Sequence, residues 1–185
     1  MTDPKGVGLT LKHMASLHQM SVAELRKLLD EPVPMAISAF KKHFSYADAL
    51  EIEVARQMSD HFGIPIQEAL RLSCYAAALK EYSERAQTAS GRSQDFWFAV
   101  AASRNSRGSS QIGTVPVTRF GPKEYWAEEH YTGTLGAVVG AISEAIGRDQ
   151  CLHPDSDPAR IFMTNISAAD RRLCKRAAEM GLDLA

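Results

Sequence analysis

The chain has 185 residues, enough for one domain or two small ones that each close a hydrophobic core. Hydrophobic residues make up 45% and charged residues 23%, a globular composition, and no apolar run approaches the roughly 20 residues needed to cross a bilayer. A formal net charge of -1 excludes a general nucleic-acid coat but not a site-specific binder, which needs only a locally basic surface.

Neither half is a charged tail. Residues 1–90 carry ten Lys/Arg against eleven Asp/Glu, and residues 91–185 carry eleven of each. The opening MTDPKGVGLTLKH has no apolar signal core, so no export and a cytoplasmic location are expected. Cys74, Cys151 and Cys174 are far apart and form no C-x-x-C pair. Reduced thiols are therefore expected, with neither a disulfide framework nor a zinc knuckle, and no cofactor.

In chain order, LTLKHMASLHQMSVAELRKLL (9–29) reads as two short helices about a tight corner. Ala15 is the small residue a close helix crossing requires, Met20 plugs the corner, and Leu25 and Leu28 face back from the second helix. Ser21 followed by Glu24 is a capping box that starts this second helix. His18-Gln19 occupies the turn where glycine is often found, and any helical hairpin would show a similar apolar pattern. Next come EPVPMAISAFKKHFS (31–45), with Pro32 and Pro34, and then a weaker cap at Ser45 and Asp48. Leu50, Val54, Met58 and Phe62, with Ala55, make one apolar stripe on a helix that Gly63 stops, and Pro65 belongs to the first turn of the next. Residues 66–86 are consistent with one helix of more than five turns, with several small residues along its apolar side.

Taken together, LTLKHMASLHQMSVAELRKLL and FSYADALEIEVARQMSDHFGIPIQEALRL resemble the winged-helix DNA-binding domain of the MerR family. The likeness rests on helix order, spacing and caps over residues 8–72: Phe44-Ser45 with Asp48, and Gly63-Ile64. It implies a transcription regulator of bacterial type. The helix from Val22 to Leu29 would enter the major groove of double-stranded DNA, with Ser21, Ala23, Arg26 and Lys27 outward. Arg26 would meet a base edge or nearby phosphate and Lys27 the backbone. Lys12 and His13 would lie by the same strand, Lys41 and Lys42 by the phosphates of the adjacent minor groove, and Arg56 is a further candidate. The resemblance also implies a homodimer reading two half-sites. The chain departs from the family where two Tyr usually follow the recognition-helix Arg and where a Gly/Arg-rich wing is usual; here stand Leu28-Leu29 and the proline-containing segment. Each of these cations could equally be the solvated face of an amphipathic helix.

QTASGRSQ (87–94) has linker composition, which predicts a first domain over 1–87, a linker over 88–94 and a second domain over 95–185; the resemblance makes the first the DNA-binding one. In the second, FWFAVAA (96–102) reads as a buried strand and TVPVTRF (114–120) as an edge strand. TLGAVVGAISEAIG (134–147) reads as a helix closed by Gly147, ARIFMTNI as a strand, and RRLCKRAAEMG as a last helix capped by Ser167 and Asp170. The overall expectation is an α+β protein: an all-helical winged-helix-like head, then a small α/β domain for self-association or for sensing a small-molecule or protein effector. YTGTLGAVVG lacks the order of a phosphate loop, so its glycines read as close helix packing. Cys151, His153, Asp155 and Asp157 read as a solvated turn rather than a metal site, and Arg171, Arg172, Lys175 and Arg176 as a basic strip on the last helix. Two rival functions stand beside the regulator. One is an interaction adaptor without DNA contact, and the other is a small enzyme built around Trp97, Tyr125, Trp126, Tyr131 and His130 or His153.

Overall fold

A computed structural model describes residues 8–30, 43–73, 76–86, 94–104, 118–120, 124–152 and 160–182. The class is α+β, and the chain divides into two compact units: residues 1–92 with 166–185, and residues 93–165.

The first unit begins with α1, Leu11–Leu17. Thr10, in extended conformation, caps it: the His13 amide donates to Thr10 Oγ1 at 3.2 Å and the Thr10 amide to His13 Nδ1 at 3.4 Å. The corner after α1 is closed by backbone bonds, His18 N to Met14 O at 3.1 Å, Gln19 N to Ser16 O at 3.1 Å and Met20 N to Ala15 O at 2.9 Å. Gln19 takes φ 53, the left-handed region that usually favours glycine. Helix α2, Val22–Asp30, starts at the expected box, with Ser21 N donating to Glu24 Oε2 at 2.7 Å and Glu24 N to Ser21 Oγ at 3.1 Å. Leu9 and Phe44 exchange both backbone bonds, at 2.9 and 2.8 Å, so the chain enters α1 and the next described helix at one point.

That helix, α3, Tyr46–Phe62, opens on the Ser45/Asp48 box and closes on Gly63 at φ 66. Its Leu50, Val54, Ala55 and Met58 are buried as the stripe predicts, whereas Phe62 is 38% exposed. Asp48, Glu51, Glu53 and Gln57 are buried too, so α3 is covered on several sides rather than one. Helices α4, Ile66–Ser73, and α5, Ala76–Ala86, follow; residues 74 and 75, inside the single long helix expected from the sequence, lie outside the described residues. Pro65 stands just before α4, and its carbonyl accepts from Ala69 N at 3.0 Å. Leu9, Met14, Leu17, Leu25, Phe44, Ile52, Met58, Leu70 and Ile166 are almost completely buried, each contributing about 1.5–3 kcal/mol relative to exposure.

The second unit is a four-stranded antiparallel sheet: β1, Trp97–Arg104; β2, Thr118–Phe120; β3, Glu124–Gly133; β4, Arg160–Asn165. The spatial order is β2-β3-β1-β4, with Ala99 opposite Tyr131 on one side and Met163 on the other. β2 lies at the edge, as Pro116 suggests, though residues 114–117 lie outside the described residues. Strand β3 has no counterpart among the elements expected from the sequence. Helix α6, Leu135–Leu152, is entered through Gly133 at φ 140, and Thr134 Oγ1 accepts from Ala137 N at 3.4 Å. Ala99, Val138 and Ile142 form its core contact, with Trp97, Tyr131, Ile146 and Met163 packed against them.

Several expectations for this half need correction. Gly147 does not end α6, which continues to Leu152. Among the described residues the glycines of α6 are not packing contacts, because a Cβ at Gly136, Gly140 or Gly147 would meet nothing within 4 Å there. The last helix, α7, Ile166–Glu179, is not capped by Ser167 and Asp170: it already includes Ser167, and the Asp170 carboxylate accepts from tyrosines elsewhere. Moreover α7 packs on α3 and α1 and belongs to the helical unit, so the compact second unit ends at Asn165 rather than at 185. Helix α7 itself finishes in a turn at Gly181, φ 71, with Leu182 N donating to Ala177 O at 2.9 Å.

Candidate nucleic-acid interface

The seam between α1 and α2 is apolar: Met14, Ala15 and Leu17 on one side, Leu25, Leu28 and Leu29 on the other, all buried. Burying that stripe turns the opposite face of α2 outward. Ser21, Ala23, Arg26 and Lys27 are exposed there, as is Lys12 on α1. At nine residues α2 is ~13 Å long. Two anions share the face. Asp30 is exposed, and Glu24 is held by its cap, the Ser21 hydroxyl and amide lowering its carboxyl below the usual range.

The other sequence candidates fare differently. His13 is half-buried and engaged as the partner in the α1 cap, a role its sequence context does not announce. Arg56 turns inward, donating from Nη1 to the His18 carbonyl, so it buttresses the corner between α1 and α2. Lys41 and Lys42, with the rest of the expected wing over 31–42, lie outside the described residues. Their neighbour His43 is exposed, and its side chain sits where a Cβ on Gly8 would come within 3.0 Å.

Behind the corner is a cluster of charges that the sequence does not reveal. Glu53, on α3, is 3% exposed. Arg176 on α7 meets it with both terminal nitrogens, Nη1 to Oε2 at 2.8 Å and Nη2 to Oε1 at 3.1 Å. Arg172 Nε adds a contact to Oε1 at 3.4 Å. Nη1 of Arg176 also donates to the carbonyl of Leu17, the last residue of α1, at 2.9 Å. His18, fully buried, places Nδ1 3.5 Å from Glu53 Oε2. Burial acts to raise the Glu53 carboxyl, but His18 and Arg176 prevail and hold it at about 2. Burial pushes His18 the other way, below its ordinary value, so the ring is neutral at pH 7. Half of the basic strip expected on the last helix is thus a structural clamp; Arg171 and Lys175 remain exposed.

Elsewhere on α7, Asp170 accepts from the hydroxyls of Tyr46 and Tyr82. One helical turn further along, Cys174 Sγ donates to Asp170 Oδ1 at 3.4 Å and lies 3.8 Å from the Tyr46 hydroxyl. Burial raises the Asp170 carboxyl above its ordinary value. Burial and then the Asp170 charge push the Cys174 thiol up to about 11, so it stays protonated and is a poor nucleophile at neutral pH. These contacts fasten α7 to α3 and α5, beside the Glu53 clamp.

In the sheet unit, His130 stacks on Phe98 with ring centroids 5.9 Å apart, and Tyr131 packs against the α6 contact. Tyr125 and Trp126 belong to β3, while His153, Asp155 and Asp157 lie outside the described residues. Among the described residues no group of His, Cys, Asp and Glu could hold a metal ion, and no helix is long and apolar enough to cross a membrane. Compared with known families, curated proteins and solved structures, the chain matches none.

Proposed function

We propose that the chain is a sequence-specific DNA-binding regulator of transcription, with a MerR-like winged helix-turn-helix head in which α2 enters the major groove of double-stranded DNA. The observation that carries this reading is the pairing of a buried α1–α2 seam with an outward face bearing Lys12, Ser21, Ala23, Arg26 and Lys27. Arg26 pairs with a base edge, and Lys12 and Lys27 meet phosphates. Lys41 and Lys42 extend the phosphate grip. A homodimer doubles these few contacts over two half-sites, and the sheet unit serves self-association or effector sensing. No reaction is catalysed; occupancy or distortion of promoter DNA is the output, in the cytoplasm.

A salt titration of binding to random duplex tests the reading. The expected result is a linear fall of log affinity with log salt, with a slope of several units that shrinks by about one in Lys27→Ala. Arg26→Ala is expected to reduce discrimination between sequences more than it reduces overall affinity. The absence of any salt-dependent binding would reject the regulator. It would favour the adaptor, a reading supported by Glu24 and Asp30 on the same face and by Leu135 and Val139, 43% and 48% exposed on α6.

A further inference from the structure

We propose that Arg176 is a positioning residue for the reading head, setting the angle of the α1–α2 corner from 159 residues further along the chain. Its functional consequence rests on the DNA-binding reading of α2; its structural consequence does not.

The corner is a place where small errors matter. Helix α1 has only two turns, and its last carbonyls have no partner within the helix. Two carbonyls at this end are met by arginines from other helices: Leu17 O by Arg176 at 2.9 Å, and His18 O by Arg56. The next residue, Gln19, is held in the left-handed region, and Met20 N returns to Ala15 O at 2.9 Å. Arg176 is itself fixed by the two-pronged contact with Glu53, which cannot move without disturbing the buried His18 ring beside it. A guanidinium suits this position because its planar fork reaches a carboxylate and a carbonyl at once, whereas a lysine ammonium is a point donor. Helix α7 therefore sets where α1 ends, and hence how α2 is presented. Since β4 ends at Asn165 and α7 begins at Ile166, the same helix is joined to the sheet unit by a single peptide bond.

The test uses the full chain with Arg176→Lys, Arg176→Ala, and the double variant Glu53→Leu with Arg176→Met, which removes the buried charges together and preserves the fold where a single deletion does not. The first readout is amide hydrogen exchange at His18, Gln19 and Met20, expected to quicken by about tenfold or more in all three variants while the middle of α3 stays protected. The second is the salt titration on duplex DNA. Affinity is expected to fall by about tenfold with the slope unchanged, because a positioning residue releases no counterions whereas a phosphate contact does. Unchanged exchange at the corner in the double variant would overturn the proposal, as would a slope reduced by about one, which would make Arg176 a direct DNA contact. If the unaltered chain binds no DNA, the regulator reading fails alone and the exchange measurement still decides the role of Arg176.

Discussion

The turn after α1 needs a left-handed residue, and at Gln19 a side chain in that region costs about 1–2 kcal/mol. Gln19→Gly should relieve that cost but lose about 0.5–1 kcal/mol to the greater freedom of the unfolded chain. The expected net effect in urea denaturation is a small gain in stability. Gln19→Val should instead lose about 1–3 kcal/mol, because a β-branched residue tolerates this region least. Equal midpoints for the two variants would show that the angle is unimportant. The His18-Gln19 turn is legible in the sequence as a departure from glycine, but its conformation is not. The caps at Ser21/Glu24 and Ser45/Asp48 are legible because both partners lie three residues apart and use the usual residue types. The cap at Thr10 is hidden because histidine stands where Glu or Gln is expected.

At the scale of elements, the clamp between α3 and α7 makes the helical unit sensitive to acid. Glu53 is held at about 2 against an ordinary 4.5, so its contribution is full above the ordinary value and is lost as pH falls toward 2. His18 is lowered from 6.5 by burial, so below pH 6.5 the unfolded chain takes up the proton first and stability falls. Calorimetry should therefore show Tm declining in two stages, beginning below about pH 6.5 and then below about pH 4.5. His18→Gln should remove the first stage and weaken the second, because His18 helps hold the Glu53 carboxyl down; an unaltered profile would refute the assignment. Glu53→Ala is expected to cost about 3–5 kcal/mol, since it leaves guanidinium groups facing a buried void. None of this is legible locally, because Glu53 and Arg176 are far apart in the chain and each fits the polar face of an amphipathic helix. Strand β3 escapes a reading of the sequence for a different reason: EYWAEEHYTG mixes charged and aromatic residues and lacks clean alternation. β1 and β4, richer in apolar residues, are recognisable.

At the scale of the molecule, residues 93–165 interrupt a helical unit whose parts come from both ends of the chain. The composition of QTASGRSQ marks one side of the interruption. The other side, at Asn165 and Ile166, carries no linker signal because strand passes directly into helix. Removing residues 166–185 would expose the apolar surface that Ile166, Ala169, Leu173 and Ala177 cover and leave Glu53 without its arginines. A chain ending at Asn165 is expected to lose its cooperative thermal transition, as measured by calorimetry. A sharp transition at the original Tm would show that α7 is dispensable.

This arrangement also bears on synthesis. Ribosomes deliver α1 and α2 well before α7, whose Arg176 meets the Leu17 carbonyl at the end of α1. A nascent or prematurely terminated chain would therefore display the outward cations without the brace behind them. The corner is therefore completed only once residues 31–165 have been made and α7 has followed them.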